Sequence, residues 1–341
     1  MNLEPTPEQG EVAKSARRFF EAETPASSAG IPDGHVLPPT WSATAQLGWL
    51  GIGVPEHGGG GGGSLPEQAL LFREIGRGLA PGPWLGTVLA VQVARRAARD
   101  EIAADLMAGK ATARLAEPWR YPASSIRRDS VSGRFRVTEF PLAEWVAFLV
   151  PGGAALVRRA EANAGASART LEGPDPAIPV ELTIVGGAQP EAVVIGPDAY
   201  DIVTQGRILA AAMLVGILEA TRDASVSYAK QREQFGKPIG VFQAVKHRCA
   251  DMAVRAEAAG SLLWVACLSA AAARRDAQVL AAGLKALASE YAVQSAHDNV
   301  QNHGGIGFTA ECPAHRFVKR ALALSVTLGS PEELHAEVAR S

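Results

Sequence analysis

From about residue 201 to residue 341 the apolar residues of this chain recur three and four apart through three long, alanine-rich stretches separated by short breaks. That period belongs to the α-helix. Leu209, Met213, Ile217 and Ala220 share one face of a helix expected over residues 207–229. After a break at Gly236-Lys237-Pro238, Val245, Cys249, Met252, Ala256 and Ala259 mark a second helix over residues 241–273. Leu280, Leu284, Leu287, Tyr291 and Gln294 mark a third over residues 277–299. One-faced helices joined by short links pack antiparallel, so an antiparallel four-helix bundle is expected here.

The remainder has two other textures. Residues 1–112 read as helical. Pro7-Glu8-Gln9 opens a helix whose apolar positions are Val12, Ala16, Phe19 and Phe20. A Pro/Gly-rich linker covers residues 24–39, and a second helix spans 41–47 and stops at Gly48. Gly58 to Gly63 form an unbroken glycine run, read as a flexible connector: no Lys-Ser/Thr follows it, as a phosphate-binding loop requires. A third helix starts at Ser64 or Pro66, with Leu70, Leu71, Ile75 and Leu79 on one face. Between residues 113 and 200 the apolar residues come in short runs, at 135–137, 145–150, 181–185 and 192–195, punctuated by Gly and Pro. Residues 162–168 read as a loop. The expected class is α+β: an N-terminal helical domain (1–112), a small middle β domain (113–200) and a C-terminal helical bundle (201–341). No strand–helix–strand alternation supports a doubly wound sheet.

A net charge of −2 leaves no strong pull toward nucleic acid or an anionic membrane. Cys249, Cys267 and Cys312 show no metal-ligand spacing and read as buried thiols of a reducing compartment. The first five residues lack the features of a signal peptide, and no uninterrupted apolar run approaches the roughly 20 residues of a membrane helix. A cytoplasmic protein without membrane insertion is expected.

Several motifs, in order, sharpen this. Leu47-Gly48-Trp49-Leu50-Gly51-Ile52-Gly53-Val54-Pro55-Glu56 is followed by Glu74-Ile75-Gly76-Arg77 and Leu79-Ala80-Pro81. Tyr228-Ala229-Lys230-Gln231-Arg232-Glu233-Gln234-Phe235-Gly236-Lys237-Pro238-Ile239 precedes Phe242-Gln243, and Gln301 precedes His303-Gly304-Gly305-Ile306-Gly307-Phe308. In these motifs the chain resembles the acyl-CoA dehydrogenases, along nearly its whole length and least between residues 119 and 200. The resemblance implies FAD as cofactor, an acyl-CoA substrate, an electron-transfer acceptor and an oligomer. It assigns Arg232, Phe235, Gln301, Gly304 and Gly305 to an FAD held mainly by a neighbouring subunit, with Ser330 as a further cofactor contact. Arg232 has the fork that suits a diphosphate, and glycine lets the backbone approach closely.

Two departures stand out. The family's catalytic glutamate directly precedes a Gly-Thr or Gly-Ser pair; here Leu328 precedes Gly329-Ser330. The alternative position, before the arginine that opens the first bundle helix, holds Gly206 before Arg207. Neither side chain can take a proton. Glu332 and Glu333 read as helix N-terminal charges, and His247 and His303 as surface or capping residues. In the β domain, Leu115-Ala116-Glu117-Pro118 resembles the family's first strand, but Trp119-Arg120-Tyr121-Pro122 replaces its glycine-rich continuation. Glu139 to Trp145 replaces the segment that packs on the flavin ring. This asymmetry resembles the short, base-lacking subunits of heteromeric dehydrogenases that act on steroid side chains. A heterotetramer with a homologous, glutamate-bearing partner is expected. The alternatives are a homo-oligomer with a relocated base and a non-catalytic acyl-CoA-binding protein of the same fold.

Overall fold

The computed structural model describes residues 5–23, 38–119, 124–138, 143–164, 167–176 and 178–341, without the side chains of 38 and 39. Residues 1–4, residues 24–37 of the expected linker, residues 120–122 and 139–142 of the two altered segments, and Gly165 lie outside the described residues. The N-terminal part contains α1 (Pro7–Glu23), α2 (Pro38–Gln46), α3 (Leu65–Arg77), α4 (Trp84–Arg96) and α5 (Asp100–Met107). The strands are β1 (Ala113–Pro118), β2 (Ser125–Ile126), β3 (Val131–Thr138), β4 (Trp145–Val150), β5 (Gly153–Arg158), β6 (Ser167–Leu171), β7 (Val180–Ala188) and β8 (Ala192–Ile195), with α6 (Arg159–Asn163) after β5. Then come α7 (Pro197–Gln231), the small hairpin β9 (Glu233–Gln234) and β10 (Lys237–Pro238), α8 (Gln243–Ala271), α9 (Ala277–His303), α10 (Ala314–Ser325) and α11 (Pro331–Val338). The α+β class is as the sequence implies.

The chain forms two compact units. One holds the described residues between 38 and 68 and those of 81–206. Its sheet runs β6-β7-β3-β1-β4-β5-β8, with β2 on β3. β1 and β4 are parallel; the other pairs are antiparallel. β4 is buried at every position because both its faces are covered. Val146, Phe148 and Val150 join Phe135, Val137 and Val157 in one core. Trp145, Ala147 and Leu149 alternate to the other face, and α4 packs against β1, β4, β5 and β8. Gly86 permits that approach, since a Cβ there would overlap the Ala113 carbonyl. The glycine run is no loose connector. Residues 56–58 form a 3₁₀ turn, Gly61 N donates to Gly51 O (3.0 Å) and Gly62 N to Val54 O (2.9 Å). A Cβ at Gly60 would overlap Val54, and one at Gly58 the Arg95 guanidinium. Absence of side chains is what lets this turn fold onto itself.

The other unit holds the described residues of 5–23, residues 69–80 and residues 207–341. Its contacts give the direction of each helix. Ser225 on α7 donates to Asn299 on α9 (2.8 Å), and Tyr228 stacks on His303, so these two run parallel. Arg248 donates to Asn302, and Arg255 to Ser295 and Asp298, so α8 runs opposite. Lys285 meets Ser325, while Val300 packs with Cys312 and Ala314, so α10 also runs opposite to α9. The alanines of α9 (281, 282, 286, 288, 292 and 296) are fully buried and keep the helices close. Gly76 and Gly216 do the same where α3 meets α7: a Cβ on either would overlap the other helix's backbone.

By length and composition, α7 and α8 could cross a membrane, contrary to the expectation from uninterrupted apolar runs. In α7, 78% of the most apolar window is buried inside the protein, which accounts for its composition. Residues 162–168 likewise differ from expectation: 162 and 163 end α6, and 167 and 168 begin β6.

Candidate functional site

The end of α7 and the end of α9 border an open cavity of about 340 Å³. Tyr228, Arg232 and Ile239 line one side, and residues 302–306 the other. Tyr228 and Arg232 are one helical turn apart and therefore share a face. Arg232 N still donates to Tyr228 O (2.8 Å), and Ile239 N donates to Arg232 O (2.8 Å), which closes the β9–β10 hairpin. Both central residues of that hairpin have positive φ, Phe235 at 56° and Gly236 at 74°, the pattern of a type I′ turn. Left-handed backbone suits Gly236 but costs Phe235 roughly 1–2 kcal/mol. The Phe235 side chain is nonetheless 88% exposed, with its ring edge-to-face on Phe242 at 6.1 Å. A strained, displayed aromatic that buries almost nothing in its own chain points to use by something else.

On the other wall, α9 stops because Gly304 takes φ 66° and ψ −146°, a conformation open essentially to glycine alone. Cβ atoms at Gly304 or Gly305 would meet only open space. Asn302 is buried and held by Arg248, whose Nη1 donates to its Oδ1 (2.9 Å). Its Nδ2 faces Cys249 Sγ at 3.7 Å, and burial pushes that thiol above its ordinary range. Among the described residues, the Arg232 guanidinium and the Gln301 side-chain amide have no hydrogen-bond or ion-pair partner. Of the sequence-assigned residues, Arg232, Gly304 and Gly305 line this cavity together. Gln301 and Phe235 are exposed and do not line it.

Ser330 is not among the lining residues. It caps α11: its hydroxyl accepts from Glu333 N (3.3 Å), and Glu333 Oε2 accepts from Ser330 N (2.9 Å) and Oγ (3.0 Å). Glu332 and Glu333 thus occupy the first turn of a helix, as the sequence implies. The turn before it carries the vacant base slot. Leu328 is 7% exposed, with φ at 58°, and Gly329 follows with φ at 114°. Two cations hold this turn by its backbone. Lys285, fully buried on α9, donates to Ser325 O (3.0 Å), Gly329 O (3.1 Å) and Ser289 Oγ (3.1 Å). Arg207 donates from Nε to Leu328 O (3.2 Å) and pairs with both oxygens of Glu337 (2.7 and 2.9 Å). Glu333 and Glu337 are therefore both engaged, in a cap and in an ion pair. Gly206, at the alternative slot, is a buried helical residue.

Sequence inspection missed Lys285, which sits in an apolar stripe between Leu284 and Ala286. It also left Tyr228 and Asn302 without roles in the cavity. The Tyr228–Arg232 spacing of one helical turn was the available signal.

The acyl-CoA dehydrogenase N-terminal domain family model matches residues 6–113, and the C-terminal domain model matches residues 199–341. Acyl-CoA dehydrogenase IpdE2 of Mycobacterium tuberculosis (strain ATCC 25618 / H37Rv) is 32% identical over 291 residues, spanning 85% of this chain and 81% of that protein. One chain of the ChsE4–ChsE5 complex from Mycobacterium tuberculosis superposes with a TM-score of 0.87 at 22% identity, covering 100% of this chain and 98% of that one. A chain of a variant of the Tcur3481–Tcur3483 steroid ACAD does so with a TM-score of 0.83 at 26% identity, over 98% and 97%. With both domain models matched in order and a relative aligned along most of its length, this chain belongs to the acyl-CoA dehydrogenase family, whose members are FAD-dependent oxidoreductases.

Proposed function

We propose that this chain is the subunit of a heteromeric acyl-CoA dehydrogenase that lacks the catalytic glutamate. It serves the α,β-dehydrogenation of an acyl-CoA thioester alongside a homologous partner that supplies the base. The observation that carries this is Leu328: a buried leucine, in left-handed backbone, at the slot where the family places its carboxylate. A positioned base contributes about 10²–10⁴-fold. Without one, the weakly acidic α-C–H of a thioester holds its proton. Of the acidic residues of α11, Glu333 is committed to Ser330 and Glu337 to Arg207, while Glu332 is exposed in the helix's first turn. The two-chain ChsE4–ChsE5 and Tcur3481–Tcur3483 assemblies among the similar structures support a partner of the same fold and a bulky acyl group.

The residues present fit FAD. Arg232 offers an unpaired guanidinium for a diphosphate, Gly304 and Gly305 leave backbone open to a ligand, and the Gln301 amide is free to hydrogen-bond. When bound, the flavin supplies the hydride acceptor. In this reading Arg232 and Gln301 bind and orient the cofactor of the partner subunit, and Phe235 covers it from water. An external electron-transfer acceptor would take the electrons from that cofactor. The test is to assay the glutamate-bearing partner with and without this chain on a panel of acyl-CoA esters. Activity should require both. A partner equally active alone contradicts the proposal.

A further inference from the structure

Among the cavity-lining groups that the flavin contacts above leave unused is the His303 imidazole. Its Nδ1 lies 2.8 Å from the Asn299 carbonyl oxygen. A carbonyl can only accept, so Nδ1 carries the proton, and in the neutral ring Nε2 is then a bare acceptor. The ring is stacked on Tyr228, with centroids 4.3 Å apart and planes 25° from parallel, which fixes its orientation. His303 lines the cavity, and its Nε2 has no hydrogen-bond partner among the described residues.

Among the described residues, the unmet polar groups lining the cavity include the Tyr228 hydroxyl and two that are unlike, the Arg232 guanidinium and the His303 Nε2. Arg232 is a permanent cation that only donates, and His303 is an acceptor. Inorganic phosphate, with anionic oxygens and a P–OH, can meet both groups but brings no apolar surface. A ligand that satisfies both carries an anion and an N–H or O–H donor on one molecule. It also has apolar surface for Ile239 and Ile306, which line the same space. Adenosine diphosphate has all three: diphosphate oxygens, donors on the ribose and at the 6-amino group, and a flat purine. The cavity volume, about 340 Å³, lies within the range of small-molecule sites, about 300–1,000 Å³.

We propose that His303, with a proton on Nδ1, reads the adenosine end of the bound dinucleotide by accepting a hydrogen bond at Nε2 while Arg232 holds the diphosphate. This rests on the flavin reading and adds a specificity-determining residue to it. A CoA thioester also contains an adenosine diphosphate, distinguished by its 3′-phosphate, so the test must separate the two.

The experiment is calorimetric titration of the full-length chain with ADP, 2′-deoxy-ADP, inosine diphosphate and 3′-phosphoadenosine 5′-diphosphate, with FAD and FMN as competitors. ADP should bind, and FAD but not FMN should displace it. One net hydrogen bond corresponds to about a three- to tenfold change in affinity. The analogue lacking the donor that His303 reads should lose that factor. His303→Phe, which keeps the ring stack, should weaken ADP by the same factor and no longer distinguish ADP from that analogue. Equal binding of ADP, 2′-deoxy-ADP and inosine diphosphate by the unaltered chain overturns the role of His303 without any variant having to fold. So does a His303→Phe chain that binds ADP as tightly as the original. Failure of the flavin reading looks different: ADP binding unaffected by Arg232→Ala, or a preference for the 3′-phosphorylated nucleotide that FAD does not displace. No binding of ADP at all overturns both.

Discussion

The turn at residues 325–330 and the cavity at the ends of α7 and α9 belong to the same helical unit, yet they are built on opposite principles. At the turn, backbone acceptors are met from within the chain: Lys285 serves Ser325 and Gly329, Arg207 serves Leu328, and Ser330 and Glu333 cap each other. What faces inward is a leucine. At the cavity and beside it, functional groups are unmet among the described residues: the Arg232 guanidinium and the His303 Nε2 line it, while the Gln301 amide and the strained, displayed Phe235 lie outside it. A site whose polar groups are satisfied internally holds its shape with no ligand. A site whose groups are unmet is shaped for one. In the proposed reading, the chain keeps the architecture of the base loop without its chemistry, and the cross-subunit contacts with theirs.

The most direct way to break this contrast is Leu328→Glu. Because the turn is held by its backbone, a carboxylate there should gain up to the 10²–10⁴-fold of a positioned base. The readout is substrate-dependent flavin bleaching without a partner, with Leu328→Gln as the inert control. No gain in the Glu variant would mean that the turn no longer presents its side chain to a substrate. Next in size is Arg232→Ala. Charge-assisted hydrogen bonds contribute about 1.5–3 kcal/mol, so flavin affinity should fall roughly 10- to 150-fold. Because the guanidinium has no partner within the described chain, melting temperature should not move. Lys285→Met should do the reverse. It strips donors from two carbonyls, costs about 2–3 kcal/mol in urea unfolding and acts on flavin affinity only through the fold. The smallest effect is at Phe235. Asparagine tolerates the left-handed backbone, so Phe235→Asn should stabilise the chain by about 1 kcal/mol while weakening the complex. A destabilised variant would show that the exposed ring serves its own fold.

These contrasts also mark what the sequence discloses. The bundle was legible because Leu209, Met213 and Ile217, or Met252, Ala256 and Ala259, repeat at the helical period and are buried. β4 was legible because an unbroken apolar run buried on both faces has few alternatives. β5 begins Gly153-Ala154-Ala155, too small to signal a strand, and β6 is an exposed edge strand with little apolar alternation to read. The glycine run misled because its packing comes from backbone and from the distant Arg95, neither visible in composition. At the site, Arg232, Gly304 and Gly305 stood in motifs. Lys285 stands in no motif, and its role exists only because α9 carries it beneath the 325–329 carbonyls. The pairing of Tyr228 with His303 likewise needs two helices brought together.

The central claim, a dehydrogenase subunit dependent on a partner's base, is tested most directly by purifying this chain alone, loading it with FAD and adding acyl-CoA esters while following flavin absorbance. The account predicts that the flavin stays oxidised with every ester until the glutamate-bearing partner is added. Bleaching by the chain alone with any one ester would contradict it and would mean that another residue of this chain takes the proton.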